Sequence, residues 1–233
     1  VVTISNFSRQ DILQLIPGLT PQKVVPIHLA CDPQFELEIK PSQNVGKRPF
    51  LLCLGAEDPR KNTLRIVKAY LSALQNQSID NDLVITGYAN WYGSPAHRLV
   101  NATGFNERVK FLSFVSIEQL ASLYQQATAL VYLSLYEGFG IPILEAYASG
   151  CPVIASNTTS IPEVGGDAAL YVDPTDVSAI EDAITQLCND PSLQSELKSK
   201  GFERSKHFSW TKVACETLNV YQTVVSQLEE TSV

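Results

Sequence analysis

The sequence predicts an α/β protein: a doubly wound parallel sheet followed by extra helices. Between residues 50 and 172, short apolar runs alternate with longer segments of helical spacing. The runs are almost continuously apolar, which is typical of parallel strands that helices cover on both faces. After residue 174 only helical patterns follow. We therefore expect right-handed crossovers between successive strands.

The strands and helices of this sheet can be placed in chain order. Asn62 stands where it would cap the first crossover helix, and Ser116 with Gln119 forms a capping box for another. Ser160 and Glu163 repeat the capping-box pattern further along. Strands are predicted at Phe50–Leu54, Leu83–Thr86, Val109–Phe111, Ala129–Leu133, Val153–Ala155 and Ala169–Val172.

The two ends of the chain carry further elements. The sequence contains no methionine and opens in a β-like run, so we expect it to be a piece of a longer chain. Residues 32–48 are rich in Pro and Gln and are interpreted as a linker. The last predicted helix has an apolar stripe that needs a partner surface. Before the linker, strand, helix and strand are predicted at Val1–Ser5, Asp11–Leu15 and Lys23–Pro26; after the sheet, helices are predicted at Val177–Cys188, at Ser192–Gly201 and from Ser209 onward.

Composition excludes several classes of protein. The net charge is −7 and the 17 basic residues are scattered, so no nucleic-acid partner is expected. No apolar run approaches the ~20 residues that span a bilayer, and we expect a soluble protein. The five cysteines lie far apart and form no C-x-x-C pair, which indicates reduced structural thiols. Histidines and cysteines show no zinc-binding spacing.

One loop has the features of a ligand site. In doubly wound sheets ligands bind at the carboxyl ends of the strands. After the fourth sheet strand, Gly138 and Gly140 precede a predicted helix whose amino terminus favours an anion such as a diphosphate. Glu137 and Glu145 flank this turn, where they would accept hydrogen bonds from sugar hydroxyls. A plain tight turn, with Glu145 stabilised by the helix dipole alone, stays open as the structural alternative.

A second polar loop follows the first sheet strand. It carries Arg60 and Lys61 just before a helix, where two cations would lie over the anion site. A solvated surface pair is the alternative, because that is the usual place of adjacent basic residues. The segment Asp80–Asp82 is interpreted as a turn between helix and strand, because it precedes its strand where a metal-binding pair would follow it.

These motifs resemble a known family. The segment from Gly55 to Pro174 is similar to the nucleotide-sugar-binding domain of the retaining glycosyltransferases of family 4, also called group 1. The E-x-seven-E pattern of that family matches Glu137 and Glu145. The resemblance implies a Rossmann-like sheet that forms the donor-binding half of a GT-B fold. Further matching segments are Val131–Ser134, Gly150–Ala155, Pro162–Ala168, Ile4–Arg9 and Phe208–Trp210.

The resemblance also implies roles for individual residues. Glu137 resembles the catalytic glutamate that lies against the donor sugar and stabilises a developing oxocarbenium ion. Glu145 resembles the glutamate that binds the ribose hydroxyls. Arg60 and Lys61 would neutralise the diphosphate leaving group, and Lys61 matches the family lysine best. Four further donor-binding positions are implied, three through their backbone near the sugar and distal phosphate and one near the base: Phe139, Gly140, Ile141 and Val115.

One position departs from the family pattern. The arginine that commonly follows the strand glycine is replaced by Ala56, so Arg60 would have to take over its role. Positive charge from Arg60, Lys61 and the helix amino terminus would stabilise the departing nucleoside diphosphate. No metal and no other cofactor is therefore expected.

The family's architecture assigns the rest of the chain. Residues 49–208 would bind the donor, residues 1–31 would be the tail of an amino-terminal acceptor domain, and residues 209–233 would form a helix that crosses back toward it. The expected reaction transfers a sugar from a GDP-mannose-like or UDP-sugar donor to a glycan or lipid-linked acceptor. A cytoplasmic location is expected, and peripheral contact with the inner face of a membrane stays open. A non-catalytic nucleotide- or glycan-binding module and another GT-B enzyme, a phosphorylase or epimerase, are the alternatives.

Overall fold

The computed structural model describes residues 1–39 and 45–231. A small parallel pair opens the chain, formed by β1 (Val2–Thr3) and β2 (Val25–Pro26), with helix α1 (Asn6–Leu15) between them. The strand–helix–strand prediction for this segment is confirmed. The helix begins earlier than predicted because Ser5 caps it, accepting the backbone N–H of Ser8.

The main sheet has six parallel strands in the order β5-β4-β3-β6-β7-β8. The chain order therefore reverses between β3 and β6, the point at which doubly wound sheets open a ligand crevice. Every strand predicted for this main sheet is present, and its observed bounds differ from the predicted ones by one residue at most. The strands are β3 (Phe50–Leu54), β4 (Asp82–Thr86), β5 (Val109–Phe111), β6 (Ala129–Tyr132), β7 (Val153–Ser156) and β8 (Ala169–Val172).

Helices cover both faces of the sheet. Alternate residues of β3 enter opposite cores: Leu51 packs on the side of α2 and α7, whereas Leu52 packs on the side of α4 and α5. The doubly wound fold is therefore confirmed. The helices are α2 (Thr63–Gln75), α3 (Pro95–Thr103), α4 (Ile117–Gln126), α5 (Ile141–Ala148), α6 (Ile161–Gly165), α7 (Val177–Asn189), α8 (Pro191–Ser205) and α9 (Trp210–Thr231).

Part of the predicted linker is built into a core. Residues 33–36 form a short 3-10 turn whose Phe35 is buried, with its ring edge against Tyr124 at 5.8 Å. This aromatic contact fixes the start of the segment to the face formed by α4 and α5. The remainder of the linker prediction includes residues 40–44, which lie outside the described residues.

The predicted caps have mixed outcomes. The capping box of Ser116 and Gln119 is confirmed. Asn62 precedes α2, but the prediction that its side chain caps the helix is wrong. Its backbone is left-handed (φ 58°), whereas capping residues are extended. Its amide instead donates to the carbonyls of Leu133 and Pro174 at 3.0 and 2.6 Å, and so ties α2 to the ends of two strands.

Helix α9 leaves much of its apolar stripe uncovered. Tyr221 and Val225 are more than half exposed. A cavity of about 600 Å³ lies between this helix and residues of the opening segment, with Val25 on one wall and Val220 on the other. Two assignments stay predictions: residues 1–31 as the tail of an amino-terminal acceptor domain, and residues 209–233 as a helix that crosses back toward it. Residues 232–233 of the predicted last helix lie outside the described residues. None of the described helices is both long and apolar enough to cross a bilayer.

Close packing of α8 on α5 depends on Gly201. A Cβ at this position would lie 2.5 Å from Cδ1 of Tyr147, whose ring is buried. We predict that Gly201→Ala lowers the free energy of unfolding by about 1–3 kcal/mol, because the rigid ring cannot move aside. Chemical denaturation measures this loss, with the exposed Ser199→Ala in the same helix as control. Equal stability of the two variants would contradict the packing argument.

Candidate functional site

The loops after β3 and β6 meet where the order of the strands reverses. The first loop ends in a 3-10 turn, Pro59–Lys61, which Asp58 caps by accepting the backbone N–H of Arg60. The second loop is tied to it, because the N–H of Leu135 donates to the carbonyl of Arg60 at 2.8 Å. The two candidate polar loops of the sequence therefore form one structure.

Glu137 lies between the two predicted cations. Its carboxylate is 2.9 Å from Nη1 of Arg60 and 2.8 Å from Nζ of Lys61, and its side chain is 12% exposed. Burial opposes ionisation of Glu137, but the hydrogen bond and the charge of Lys61 outweigh it and lower its pKa. Burial likewise opposes the charge of Arg60, but Glu137 raises the pKa of this guanidinium further. We call Arg60, Lys61 and Glu137 the ion triad.

Tyr132 supports the ion triad from the end of β6. Its hydroxyl is 3.3 Å from Nζ of Lys61, which also lies 5.0 Å from the centre of the ring. Burial, and then the neighbouring Glu137, raise the pKa of the Tyr132 phenol, so it stays neutral. Sequence patterns indicate only an apolar strand residue at this position, because the lysine that it contacts lies 71 residues earlier.

The segment 137–140, which we call the glycine turn, leads directly into α5. Gly140 has φ 121°, a backbone conformation that favours glycine, and the helix begins at Ile141. Pro142 lies in the first turn, and Gly150 follows the last turn with φ 69°. The amino terminus of an eight-residue helix therefore opens beside the ion triad.

Phe139 anchors the glycine turn in the core. Its ring is buried and lies 5.8 Å from the ring of His28 and 6.1 Å from that of Phe208. Both partners lie in segments on either side of the sheet domain. The aromatic cluster therefore fixes the side chain of Phe139 away from solvent and leaves its backbone to form the turn.

Glu145 has an environment opposite to that of Glu137. It lies one turn inside α5, and its Oε2 accepts a hydrogen bond from the hydroxyl of Tyr124 at 3.0 Å. Burial raises the pKa of Glu145 although Tyr124 lowers it, and Asp32 raises it further. The structure therefore does not bring Glu145 into the ion triad. The two glutamates flank the glycine turn, and their surroundings stabilise the carboxylate form of Glu137 and destabilise that of Glu145.

Val115 lies at the same edge of the sheet but away from the ion triad. It follows β5 and precedes the capping box at Ser116, and its side chain is half-buried. Strand β5 is separated from β3 by β4, so two strand spacings, about 10 Å, lie between them. This distance is of the size that separates the base of a nucleotide from its phosphates.

The capping-box prediction for Ser160 and Glu163 is wrong. The Ser160 hydroxyl lies 2.8 Å from the carbonyl oxygens of both Glu137 and Phe139. The Glu163 carboxylate accepts the N–H groups of Asn6 and Phe7 at the start of α1, at 2.8 and 3.2 Å, and lies 2.5 Å from Nε2 of His28. Ser160 has a helical backbone (φ −79°, ψ −7°), whereas capping residues are extended, and its side chain makes no capping hydrogen bond to α6.

No cysteine belongs to the ion triad, and the described residues form no metal-binding cluster. The five cysteines are free, and burial raises the pKa of the Cys53 and Cys151 thiols to about 12, as structural thiols require. Across residues 1–39 and 45–231, no group of three or more His, Cys, Asp or Glu side chains is placed to hold a metal ion.

Comparison with known proteins identifies the family. The family model described as glycosyl transferases group 1 matches residues 34–204. The chain therefore belongs to the group 1 glycosyltransferases, and the resemblance seen in its motifs is confirmed at this level. Placement in family 4 and retention of anomeric configuration stay predictions.

Two curated relatives are mannosyltransferases. The O-antigen chain mannosyltransferase B of Escherichia coli is 35% identical over 229 residues, which are 95% of this chain and 60% of that protein. The MMP alpha-(1→4)-mannosyltransferase of Mycolicibacterium hassiacum is 28% identical over 232 residues, 98% of this chain and 55% of that protein. The chain thus spans little more than half the length of these relatives.

A solved structure confirms the fold. Sucrose-phosphate synthase from Thermosynechococcus elongatus matches with a TM-score of 0.78 and 25% identity, over 97% of this chain and 58% of that chain. The predicted membership of the GT-B glycosyltransferase architecture is confirmed.

Replacing each glutamate by glutamine is expected to shift stability in opposite directions at pH 7. Glu137→Gln removes the negative charge between Arg60 and Lys61, so the free energy of unfolding should fall. Glu145→Gln removes a carboxylate whose ionisation burial opposes, and keeps an oxygen for the Tyr124 hydroxyl, so the free energy of unfolding should rise. Chemical denaturation measures both shifts, and shifts of the same sign would contradict the assigned environments.

The pH dependence follows from the same two shifts. Because the pKa of Glu137 is lowered on folding, its contribution to stability is present above 4.5, the ordinary value, and is lost as the pH falls through the lowered value. Because the pKa of Glu145 is raised, its destabilising effect fades as the pH falls from 7 through the raised value. Each glutamine variant should abolish its own part of this profile.

Proposed function

We propose that this chain is the donor-binding part of a hexosyltransferase that uses a nucleotide-diphosphate sugar. The observation that carries the proposal is the ion triad beside the amino terminus of α5, at the point where the strand order reverses. Membership of the group 1 family and the two mannosyltransferase relatives support it. Mannose from a GDP-mannose-like donor is the proposed transferred sugar, and UDP-sugars are the second donor class.

The charges of the site suit a diphosphate leaving group. Arg60 and Lys61 both pair with Glu137, so the three groups together carry a formal charge of +1. Asp58, which is half-exposed, lies with its Oδ2 3.4 Å from Nε of Arg60 and reduces that charge locally. The positive end of the α5 dipole adds to it. A diphosphate that departs from the sugar gains negative charge, which these groups stabilise without reorganisation. In this proposal the protein's own cations and backbone do this work, and no metal takes part.

Glu137 has the ionisation state that its proposed role requires, and Glu145 lies where its own proposed role places it. Glu137 has a lowered pKa and stays a carboxylate, so it can stabilise the positive charge that develops on the anomeric carbon as the leaving group departs. Glu145 lies on the other side of the glycine turn, where we place the ribose hydroxyls. Val115, about 10 Å further along the sheet edge, is proposed to lie near the base.

Acceptor and location are proposed from the relatives. A glycan or lipid-linked acceptor would be bound by a part of the protein beyond this chain, because the match leaves nearly half of each relative's length uncovered. We propose a cytoplasmic enzyme that assembles polysaccharide, with peripheral contact with the inner face of a membrane as a further proposal. We also propose that the exposed apolar residues of α9 contact another domain of the protein.

Binding of the donor tests this function. Isothermal titration calorimetry with GDP-mannose, UDP-glucose, GDP and UDP is expected to show binding of one nucleotide class. Lys61→Ala should weaken binding of the diphosphate about 10–100-fold, the effect of losing one charge-assisted hydrogen bond. Lys68→Ala, an exposed lysine on α2, is the matched control and should bind as wild type. Failure of the wild-type chain to bind any of these ligands would overturn the proposal.

The glutamine variant of Glu137 separates binding from chemistry. Glu137→Gln removes the carboxylate that Arg60 and Lys61 share and leaves Asp58 beside Arg60, so GDP should bind at least as tightly as to wild type. Turnover of the sugar donor by the complete enzyme should nevertheless be lost. Weaker GDP binding, or unchanged turnover, would contradict the role given to Glu137.

A further inference from the structure

Three successive carbonyl groups of the glycine turn are held by serine hydroxyls. The Ser160 hydroxyl lies 2.8 Å from the carbonyl oxygens of both Glu137 and Phe139. The carbonyl of Gly138 accepts from Ser5 at 2.7 Å and from Ser8 at 3.1 Å. Because each hydroxyl has a single proton, Ser160 shares it between two oxygens, whereas Gly138 has two donors.

The held carbonyls set the direction of the backbone N–H groups. In a trans peptide the C=O and the N–H of the following residue point in opposite directions. Fixing the carbonyls of residues 137–139 therefore fixes the directions of the N–H groups of Gly138, Phe139 and Gly140. Among the described residues, the hydrogen bonds leave these three N–H groups without an acceptor, although Phe139 and Gly140 are buried.

The serines are themselves fixed by independent contacts. Ser5 and Ser8 lie in the first turn of α1, whose first N–H groups the Glu163 carboxylate accepts. Ser160 follows Thr159, which has a left-handed backbone (φ 58°) and accepts the N–H of Glu137 at 3.3 Å. A β-branched residue in this conformation is strained, and such strain is found where a surrounding site requires it.

We propose that Ser5, Ser8 and Ser160, which we call the hydroxyl clamp, are positioning residues that hold three backbone N–H groups toward the diphosphate of the donor. This inference rests on the proposed function. It attributes the preference of the glycine turn for an anion to backbone N–H groups that the serines hold in position. Two members of the hydroxyl clamp lie on α1, 133 and 130 residues before the carbonyl that they hold. The geometry of the donor site is therefore set partly by the opening segment of the chain.

Alanine variants of the whole chain test the hydroxyl clamp. Ser160→Ala, and the double variant Ser5→Ala with Ser8→Ala, should each weaken binding of GDP, UDP or inorganic pyrophosphate about tenfold. Binding of the unphosphorylated nucleoside, measured by saturation-transfer NMR, should not change, because the nucleoside makes no contact with the turn. Ser149→Ala is the matched control, since its hydroxyl donates to the carbonyl of Phe35 at the far end of α5.

Two further measurements guard against misfolding. Thermal unfolding reports whether each variant is folded. Ser5→Thr keeps both the cap and the hydroxyl, so this variant should bind the diphosphate as tightly as wild type. Equal weakening of diphosphate and nucleoside binding would show a merely structural role and overturn the inference.

The outcomes separate this inference from the proposed function. Wild-type binding of a nucleoside diphosphate together with unchanged binding by Ser160→Ala would overturn the hydroxyl clamp alone. Absence of wild-type binding to GDP, UDP and pyrophosphate would overturn both. A selective loss of diphosphate binding in the clamp variants, with the control unchanged, is the result that the inference predicts.

Discussion

The reversal of strand order between β3 and β6 is the constraint on which this site depends. Neighbouring strands lie about 4.8 Å apart, so the loops that follow them must share one small volume. Successive helices cover opposite faces of the sheet on either side of this point, and no crossover blocks the edge above it. The carboxylate of Glu137 reaches Arg60 and Lys61 for this reason, although 76 residues separate it from Lys61.

Partial burial gives the ion triad its character. A lone carboxylate at 12% exposure would be driven toward its neutral form, but two cations within 2.9 Å keep it charged. Within the ion triad Glu137 is the single carboxylate, so one formal positive charge remains, and the half-exposed Asp58 lies 3.4 Å from Nε of Arg60. Charge, helix dipole and hydroxyl-held backbone thus all favour an anion at one place. Glu145, under the other side of the turn, lacks this compensation and has a raised pKa.

Local sequence patterns predicted most of this architecture. Apolar runs located each strand of the sheet, since the four inner strands are buried on both faces. The spacing of Glu137 and Glu145 around a glycine turn located the loop of the site. In the structure Glu137 precedes this turn and Glu145 lies inside the helix that follows it. The roles of these residues stay predictions. The cations were expected over the anion site, whereas the structure pairs both of them with Glu137.

Contacts between distant residues could not be predicted in this way. Ser160 and Glu163 have the spacing of a capping box, but their partners lie 23 and 157 residues away. Asn62 has the residue type of a cap, but its left-handed backbone turns its amide to other carbonyls. In each case a local hydrogen bond competes with a tertiary one, and only the fold decides between them.

A crystal structure of the chain with GDP or UDP is the most direct test of a diphosphate site at the ion triad and the glycine turn. We expect the diphosphate to lie within hydrogen-bonding distance of Lys61 and of the N–H groups of Phe139 and Gly140. The contacts of Glu137 to its cations should be rearranged. A diphosphate bound elsewhere, such as in the cavity beside α9, with the ion triad unchanged, would contradict it.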